Sequence, residues 1–387
     1  MTPPAASSAV SHNTAIVGAI ATVATMGIGL SLSIPLLSVR MEAAGYSASA
    51  IGLQTAMGGI ATLFAAPLVP PLARRLGMRL LLLLAIATGI ACLLAFGFVD
   101  DLLWWYPLRL IYGAALTAIF VAGEFSINVL APEHMRGRVL GIYGAALSLG
   151  FAAGPLLLGF TGVAGMLPFL AGAALFALAA APAVVAGGAT PALEGGDRGG
   201  ALAFLFRSPS ATFGAMIFGA IETGVMGLLP VYALRNGADA VEGTRLVGMV
   251  FFGSVLFQIP LGYLSDKMDR RVLLLAIALI ALGGVLAWPL LAHDWTGFAA
   301  LLFVWGGVTG GLYPVALAHL GSRYSGADLA SANAAFVMLY SLGMLIAPPL
   351  LGRGLDWWNP HGFVAGLATL LALYAALVAM RLRAGAR

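Results

Sequence analysis

Three ionisable side chains lie inside apolar stretches of the sequence, where a charge is costly. They are Arg109, Glu124 and Glu222, whereas the other charged residues fall in loops, in tails or at the ends of apolar runs. An ionisable group in hydrocarbon must face water or a partner, so each of the three is a candidate functional residue. The alternative is structural: Arg109 could extend toward the membrane surface, and a protonated glutamic acid could hydrogen-bond a neighbouring helix.

Arg109 and Glu124 belong to one apolar run and are separated by fifteen residues. In a helix this spacing places them about 22 Å apart along the axis and about 60° apart around it, so we expect both to face the same interior surface. They are too distant for an ion pair and could mark two levels of one aqueous pathway. With no cation nearby in sequence, Glu124 is expected to be neutral until a cavity opens, as a proton carrier would be.

Uncharged polar residues within the apolar runs are candidates for substrate contact. Each could instead satisfy the backbone of a neighbouring helix. The candidates are Gln54, Asn128, Tyr232, Gln258, Tyr313, Asn333 and Tyr340. No phosphate loop or other catalytic motif is present, and the Met and His spacing does not match a metal site, so we expect neither enzymatic activity nor a cofactor.

Composition determines which elements must position these residues. Of the 387 residues 61% are hydrophobic and 9% are charged, which is too apolar for a soluble domain. The apolar runs are also too long for barrel strands, so we predict an all-α integral membrane fold with twelve transmembrane helices in a lipid bilayer. They lie near 14–38, 49–72, 78–99, 103–131, 138–162, 165–186, 208–234, 244–265, 270–292, 296–321, 329–352 and 361–383.

The distribution of basic residues predicts the orientation. Of the 19 Lys and Arg residues, most lie in the even-numbered connections and the C-terminal tail, and only four lie in the odd-numbered connections. By the positive-inside rule both termini are cytoplasmic, in a bacterial-type inner membrane, and the first helix is retained rather than cleaved. The net charge of +4 is spread thinly over the chain, so nucleic acid is not an expected partner.

A glycine-rich segment at 187–207 separates six predicted spans from six others. It reads as a flexible cytoplasmic linker between an N-terminal bundle, 1–186, and a C-terminal bundle, 208–387. Residues 72–79 align with residues 264–271, which predicts a parallel repeat of six helices. One chain then contains both halves of a pseudo-symmetric carrier, so we expect a monomer.

The first helices of the two halves also match. Pro35 and Arg40 correspond to Pro230 and Arg235 at a constant offset. The shared proline predicts that both halves break their first helix in the same way.

Residues 262–271 resemble the loop signature of the major facilitator superfamily between helices 8 and 9, with Asp269 in place of its second glycine. The copy between helices 2 and 3 lacks the acidic residue, and Arg109 with Gly113 is similar to the family's helix 4 signature. The resemblance implies two bundles that alternate in exposure, with gating contacts from the two loops. The predicted gating residues are Arg75, Arg79, Asp266, Lys267 and Arg271.

Helix 5 carries a glycine and proline pattern that resembles the one the family associates with antiporters. The resemblance implies a hinge at Gly150, Gly154 and Pro155, and the alternative is close helix packing. The segment 312–316 and the region of Glu124 are similar to the YcaD-type branch of the family.

The resemblance implies a proton-coupled secondary transporter of a small organic molecule, with export by antiport favoured. Glu124, Glu222 and Arg109 are the candidates for proton coupling, and Glu222 could instead bind a cationic substrate, because helix 7 borders the central cavity in this family. One alternative is proton-linked uptake of a small metabolite or organic anion. Another is a sensor or assembly factor that has the fold without transport, since fold alone does not establish function.

Overall fold

The computed structural model describes residues 12–99, 101–130, 136–186, 204–383 and 385. Within these ranges the chain is almost entirely helical and contains no strand, so the predicted all-α membrane fold is confirmed. Most of the predicted linker lies outside the described residues, and its boundaries stay a prediction.

In the described part of the chain, twelve principal helices form two bundles of six. The first bundle contains α1 (His12–Ala43), α2 (Ala48–Ala65), α3 (Met78–Phe98), α4 (Trp105–Leu130), α5 (Arg136–Thr161) and α6 (Leu167–Ala186). The second contains α7 (Pro209–Arg235), α8 (Ala240–Lys267), α9 (Arg270–Leu286), α10 (Trp295–Gly310 and, after Gly311, Leu312–Gly321), α11 (Gly326–Trp357) and α12 (His361–Arg383). Shorter helices are Ala66–Leu68, Val69–Leu76, Leu102–Trp104 and Trp288–Leu291.

Eleven candidate spans in the described part of the chain are long and apolar enough to cross a membrane. The predicted ninth span is divided between α9, which has only 17 residues, and the short helix Trp288–Leu291. On the outer surface, large apolar side chains such as Phe160 and Leu290 are more than four-fifths exposed. Such a surface is stable against lipid tails and unstable in water.

Polar residues between the apolar runs fix where several helices begin. Asp239 and Glu242 form a reciprocal capping box at the start of α8, with the Asp239 carboxylate accepting from the Glu242 N–H at 2.7 Å. The side chains of Ser47, Asp269 and Asp294 each accept one backbone N–H at the start of α2, α9 and α10. These oxygens satisfy N–H groups that have no partner inside the helix.

Pro35 and Pro230 lie inside uninterrupted helices, so the predicted break of the first helix in each half is wrong. A proline removes a single backbone hydrogen bond, and packed neighbouring helices allow a membrane helix to continue through it. The helices then extend beyond the apolar runs to Arg40 and Arg235. Both side chains find partners there: the Arg40 Nε donates to the Val163 carbonyl at 2.9 Å, and Arg235 pairs with Glu42.

Two glycines of α5 allow α1 to approach closely. A Cβ atom on Gly150 would lie 2.5 Å from the Ala24 carbonyl oxygen, and one on Gly154 would overlap the backbone of Leu32. The Ser31 hydroxyl fills this contact by donating to the Gly150 carbonyl at 3.1 Å. The glycines therefore act in close packing, and the hinge function assigned to them with Pro155 stays a prediction.

Candidate functional site

A carboxyl group of the second bundle lies near the middle of α7 and bonds to a tyrosine of α11. The Tyr340 hydroxyl donates to Glu222 Oε2 at 2.5 Å, and both side chains are partly exposed. Gly219, one turn before Glu222, leaves no room for a side chain against the Tyr340 backbone, which holds the two helices together at this level. Within the described ranges Glu222 pairs with no Lys, Arg or His side chain.

A second carboxyl–tyrosine pair lies in the first bundle. The Tyr143 hydroxyl of α5 donates to Glu124 Oε1 of α4 at 2.8 Å. Glu124 is partly exposed and Tyr143 is almost fully buried. Each bundle therefore contributes one membrane carboxyl that is held in place by a tyrosine from the adjacent helix.

Tyr313 connects these two pairs electrostatically. It lies on the second segment of α10, within range of the charges of both Glu124 and Glu222. Its ring centroid is 5.6 Å from that of Tyr340, and Phe218 and Phe336 contact it at 5.5 Å and 5.1 Å. We call Glu124, Tyr143, Glu222, Tyr313 and Tyr340 the carboxyl–tyrosine cluster.

Ion pairs join the two bundles at one end of the molecule. Arg235 at the end of α7 binds Glu42 at the end of α1, with Nε to Oε1 at 2.8 Å, and its Nη2 lies 3.5 Å from Asp356 Oδ1. Asp356 in turn accepts the backbone N–H groups of Ala48 and Ser49, both at 2.9 Å, at the start of α2. We call this end the latched side and the opposite end, where α7 and α11 begin, the linker side.

Further contacts between the bundles extend from the latched side toward the centre. Helices α2 and α11 touch where Gly52 lies against the Pro348 carbonyl. Between α5 and α8, the Phe151 and Phe251 rings stack at 5.1 Å. The Gln258 amide donates to the Ser148 hydroxyl at 3.3 Å.

Arg109 lies inside the first bundle and not on a partly exposed surface. Its side chain is 1% exposed, its Nη1 donates to the Ser33 hydroxyl at 2.7 Å, and its guanidinium lies over the Tyr112 ring at 5.8 Å. Nε and Nη2 have no hydrogen-bond partner within the described residues. The expectation that Arg109 and Glu124 share one accessible surface is therefore wrong for this conformation, because α1 and α2 cover the arginine.

The other predicted substrate residues lie in different environments. Gln54 is fully buried on α2, one turn before Gly58, which faces Arg109, and its amide atoms have no partner in the described part of the chain. Tyr232 is fully buried among the rings of Trp288, Phe298 and Phe363, so this arrangement gives no support to substrate contact there. Gln258 lies in the contact with Ser148. The side chain of Asn128 lies outside the described residues.

The predicted gating residues lie on the linker side. Arg75 and Arg79 are exposed, Asp266 is 3.6 Å from Arg270, and the Lys267 ammonium lies over the Tyr263 ring. Arg271 is bound to Asp269.

Asp269 caps α9, and its hydrogen bond from the Arg271 side chain holds the pKa of this carboxyl below its usual range. None of the contacts described for the predicted gating residues joins the two bundles. The gating function of the loop residues stays a prediction.

Sequence reasoning missed two parts of this arrangement. A tyrosine in an apolar run has no distinctive neighbours, so the sequence does not single out Tyr143, yet it is the partner of Glu124. Glu42, Arg235 and Asp356 fall at helix ends and in loops, where single charges are common. Only the match between Arg40 and Arg235 suggested that the ends of the first helices are related.

Comparison with known proteins supports a transporter of one family. The sequence profile described as Major Facilitator Superfamily matches residues 19–249 and 211–386. The chain is 27% identical over 337 residues to the Bacillus subtilis protein named uncharacterized MFS-type transporter YfkF, covering 84% of this chain and 85% of the relative. It is 26% identical over 273 residues to the uncharacterized MFS-type transporter YcaD of Salmonella dublin, covering 70% of each.

The fold matches a solved transporter over nearly its whole length. The nucleoside transporter NupG superposes with a TM-score of 0.73 at 16% identity, covering 96% of this chain and 98% of NupG. At this identity the likeness shows the fold alone. With the profile matching both halves and the helices arranged in two bundles of six, the chain belongs to the Major Facilitator Superfamily of membrane transporters.

Proposed function

We propose that this chain is a proton-coupled secondary active transporter that moves a small organic molecule across the inner membrane by alternating access, with export by antiport. The observation that carries the proposal is the carboxyl–tyrosine cluster, in which Glu124 of one bundle and Glu222 of the other each bond a tyrosine and both lie within electrostatic range of Tyr313. Carboxyl groups at the boundary between two moving bundles can be exposed in turn to each side of the membrane.

The contacts of Arg235 and Asp356 on the latched side, which we call the latch, support an inward-facing conformation in this proposal. Charged residues join the bundles on the latched side, which we assign to the periplasm, and the linker side then faces the cytoplasm with both termini. Opening toward the periplasm requires Arg235 to leave Glu42, because these residues belong to different bundles. Movement of domain 1–186 relative to domain 208–387 would produce this opening, and a single chain would suffice for it.

The proposed cycle uses the carboxyl groups as proton carriers. In the outward-facing state Glu222 or Glu124 takes a proton from the periplasm. After the bundles change orientation, the proton is released to the cytoplasm as substrate binds, and the substrate then leaves on the other side. Arg109 would assist by tying α4 to α1 through Ser33, so that the helix carrying Glu124 moves with its bundle.

The test uses proteoliposomes with an imposed pH gradient and an internal pH dye. The external panel contains nucleosides, sugars, carboxylates, amines and quaternary cations, so the test does not depend on substrate class. We expect at least one class to drive proton movement in the wild type but not in Glu124→Gln or Glu222→Gln. Solute accumulation that both variants and their combination leave unchanged would overturn the coupling assignment.

Proton-linked uptake is the second candidate function. Its supporting observation is that two Arg109 nitrogens, Nε and Nη2, have no hydrogen-bond partner among the described residues, and a carboxylate could accept from them if α1 and α2 moved apart. The same proteoliposomes separate the two functions, since a symporter moves solute and proton in one direction and an antiporter moves them in opposite directions.

A further inference from the structure

The environment of Glu222 indicates the class of molecule that the cluster binds. Glu222 is a carboxyl group in mid-membrane whose described neighbours include one hydrogen-bond donor, the Tyr340 hydroxyl, and no cation. An ionised carboxylate there is costly unless a positive charge approaches it. The site is therefore matched to a cation that arrives from outside the protein and leaves again.

The side chains around Glu222 and Tyr340 are aromatic. Phe218, Tyr313, Phe336 and Tyr340 form a continuous set of ring contacts with centroid separations of 5.1 to 6.2 Å. Aromatic faces attract cations and also bury apolar groups, and tyrosine hydroxyls can bind a polar substituent. Rings of this kind favour an organic ligand of appreciable apolar surface.

A metal ion fits this site poorly. Small hydrated cations need several oxygen or nitrogen ligands to replace their water. The described residues contain no group of three or more His, Cys, Asp or Glu side chains that could hold a metal. Glu222 and the aromatic rings could instead hold a cation whose charge is spread over a large, weakly hydrated surface.

We infer that the carboxyl–tyrosine cluster binds a monovalent lipophilic organic cation, such as a quaternary ammonium, a phosphonium or a protonated aromatic amine. The inference rests on the proposed transport function and specifies its substrate class. Glu222 is the charge that the cation meets, the four rings enclose its apolar groups, and Glu124 provides a second carboxyl on the opposite bundle. Exchange of this cation for a proton keeps the occupied site electrically close to neutral in both halves of the cycle.

The test measures saturable binding to the purified full-length protein in detergent. The cationic probes are tetraphenylphosphonium, ethidium and benzalkonium. The comparison ligands are tetraphenylborate, which has nearly the same shape as tetraphenylphosphonium with the opposite charge, and neutral triphenylphosphine oxide, each measured without a cation present because tetraphenylborate precipitates such cations. We expect at least one cation to bind saturably and neither comparison ligand to do so.

Variants connect the binding to Glu222. We expect Glu222→Gln to weaken binding at least about tenfold, Glu222→Asp to restore part of it, and Tyr340→Phe to weaken it by a smaller factor. Asp101→Asn removes an exposed carboxyl in the loop before α4 and should leave binding unchanged. Thermal unfolding of each variant reports whether it is folded.

Three results would overturn the inference: no saturable binding of any of the cations, saturable binding of tetraphenylborate, or unchanged affinity in folded Glu222→Gln. Failure of the proposed function has a different signature. In that case the cations bind but no pH gradient drives their movement. If pH-coupled flux occurs only with neutral or anionic solutes, the transport proposal stands and the cation assignment is wrong.

Discussion

The interior of the first bundle and the boundary between the two bundles each hold an ionisable group on a membrane helix. Arg109 is 1% exposed and enclosed by helices of its own bundle, with the Ser33 hydroxyl as its hydrogen-bond partner. Glu222 is partly exposed and lies beside Tyr313, which is also within electrostatic range of the opposite bundle. The comparison shows that a charge in an apolar run has a different environment according to whether it lies within a bundle or between bundles. We expect boundary groups to control transport and interior groups to control stability.

The largest expected effect is on the coupling of proton movement to transport. In Glu222→Gln, proton-driven transport should fall at least about tenfold, because an amide retains a bond to Tyr340 but cannot carry a proton. The unfolding temperature should change little, since the side chain keeps its size. Transport and thermal unfolding measured on one preparation check both parts. If Glu222→Gln unfolds at a lower temperature but transports normally, Glu222 controls stability and not transport.

A packing change in the interior should have the opposite profile. Gly154→Ala should lower the unfolding free energy by about 1–3 kcal/mol, because the new methyl group overlaps the α1 backbone at Leu32. Gly144→Ala, on the same helix, is the matched control, since nothing lies within 4 Å of its Cβ position. Chemical denaturation in detergent compares them, and equal stability of the two variants would contradict the packing role.

Removal of the interior charge should stabilise the protein. Arg109→Met should raise the unfolding free energy by about 1 kcal/mol, because a buried cation without a carboxylate partner costs more than an apolar side chain of similar length. Arg353→Met, which removes an exposed arginine, should have no such effect. A lower unfolding temperature for Arg109→Met would show that the structure compensates this charge fully.

The smallest expected effect concerns the latch. In Arg235→Gln the population open on the latched side should increase about two- to fivefold, because a partly exposed ion pair contributes about 0.5–1 kcal/mol. Spin labels at Ala43→Cys and His293→Cys, one on each bundle, report this distance in a background with Cys92→Ser. An unchanged distance distribution would mean that the apolar contacts between α2 and α11 alone close this side.

The sequence predicted the helices well because hydrocarbon requires long apolar runs that satisfy their own backbone. It also identified Glu124, Glu222, Tyr313 and Tyr340, since polar groups in such runs are few. It could not assign Arg109 to a bundle interior, because helix periodicity relates residues on one helix but does not identify the neighbouring helix. The Tyr143 hydrogen bond and the latch depend on contacts between helices that are far apart in sequence.

The most direct measurement of proton coupling is proton release on ligand binding. Purified protein in weakly buffered detergent at pH 5.5 to 7.5 is mixed with tetraphenylphosphonium while a soluble dye reports pH. A cation that binds beside a carboxyl group should displace its proton, so we predict release from the wild type, reduced release from Glu222→Gln, and none from the double variant with Glu124→Gln. Binding without proton release, or equal release from the wild type and the double variant, would contradict the proposal that these two carboxyl groups couple the proton to the substrate.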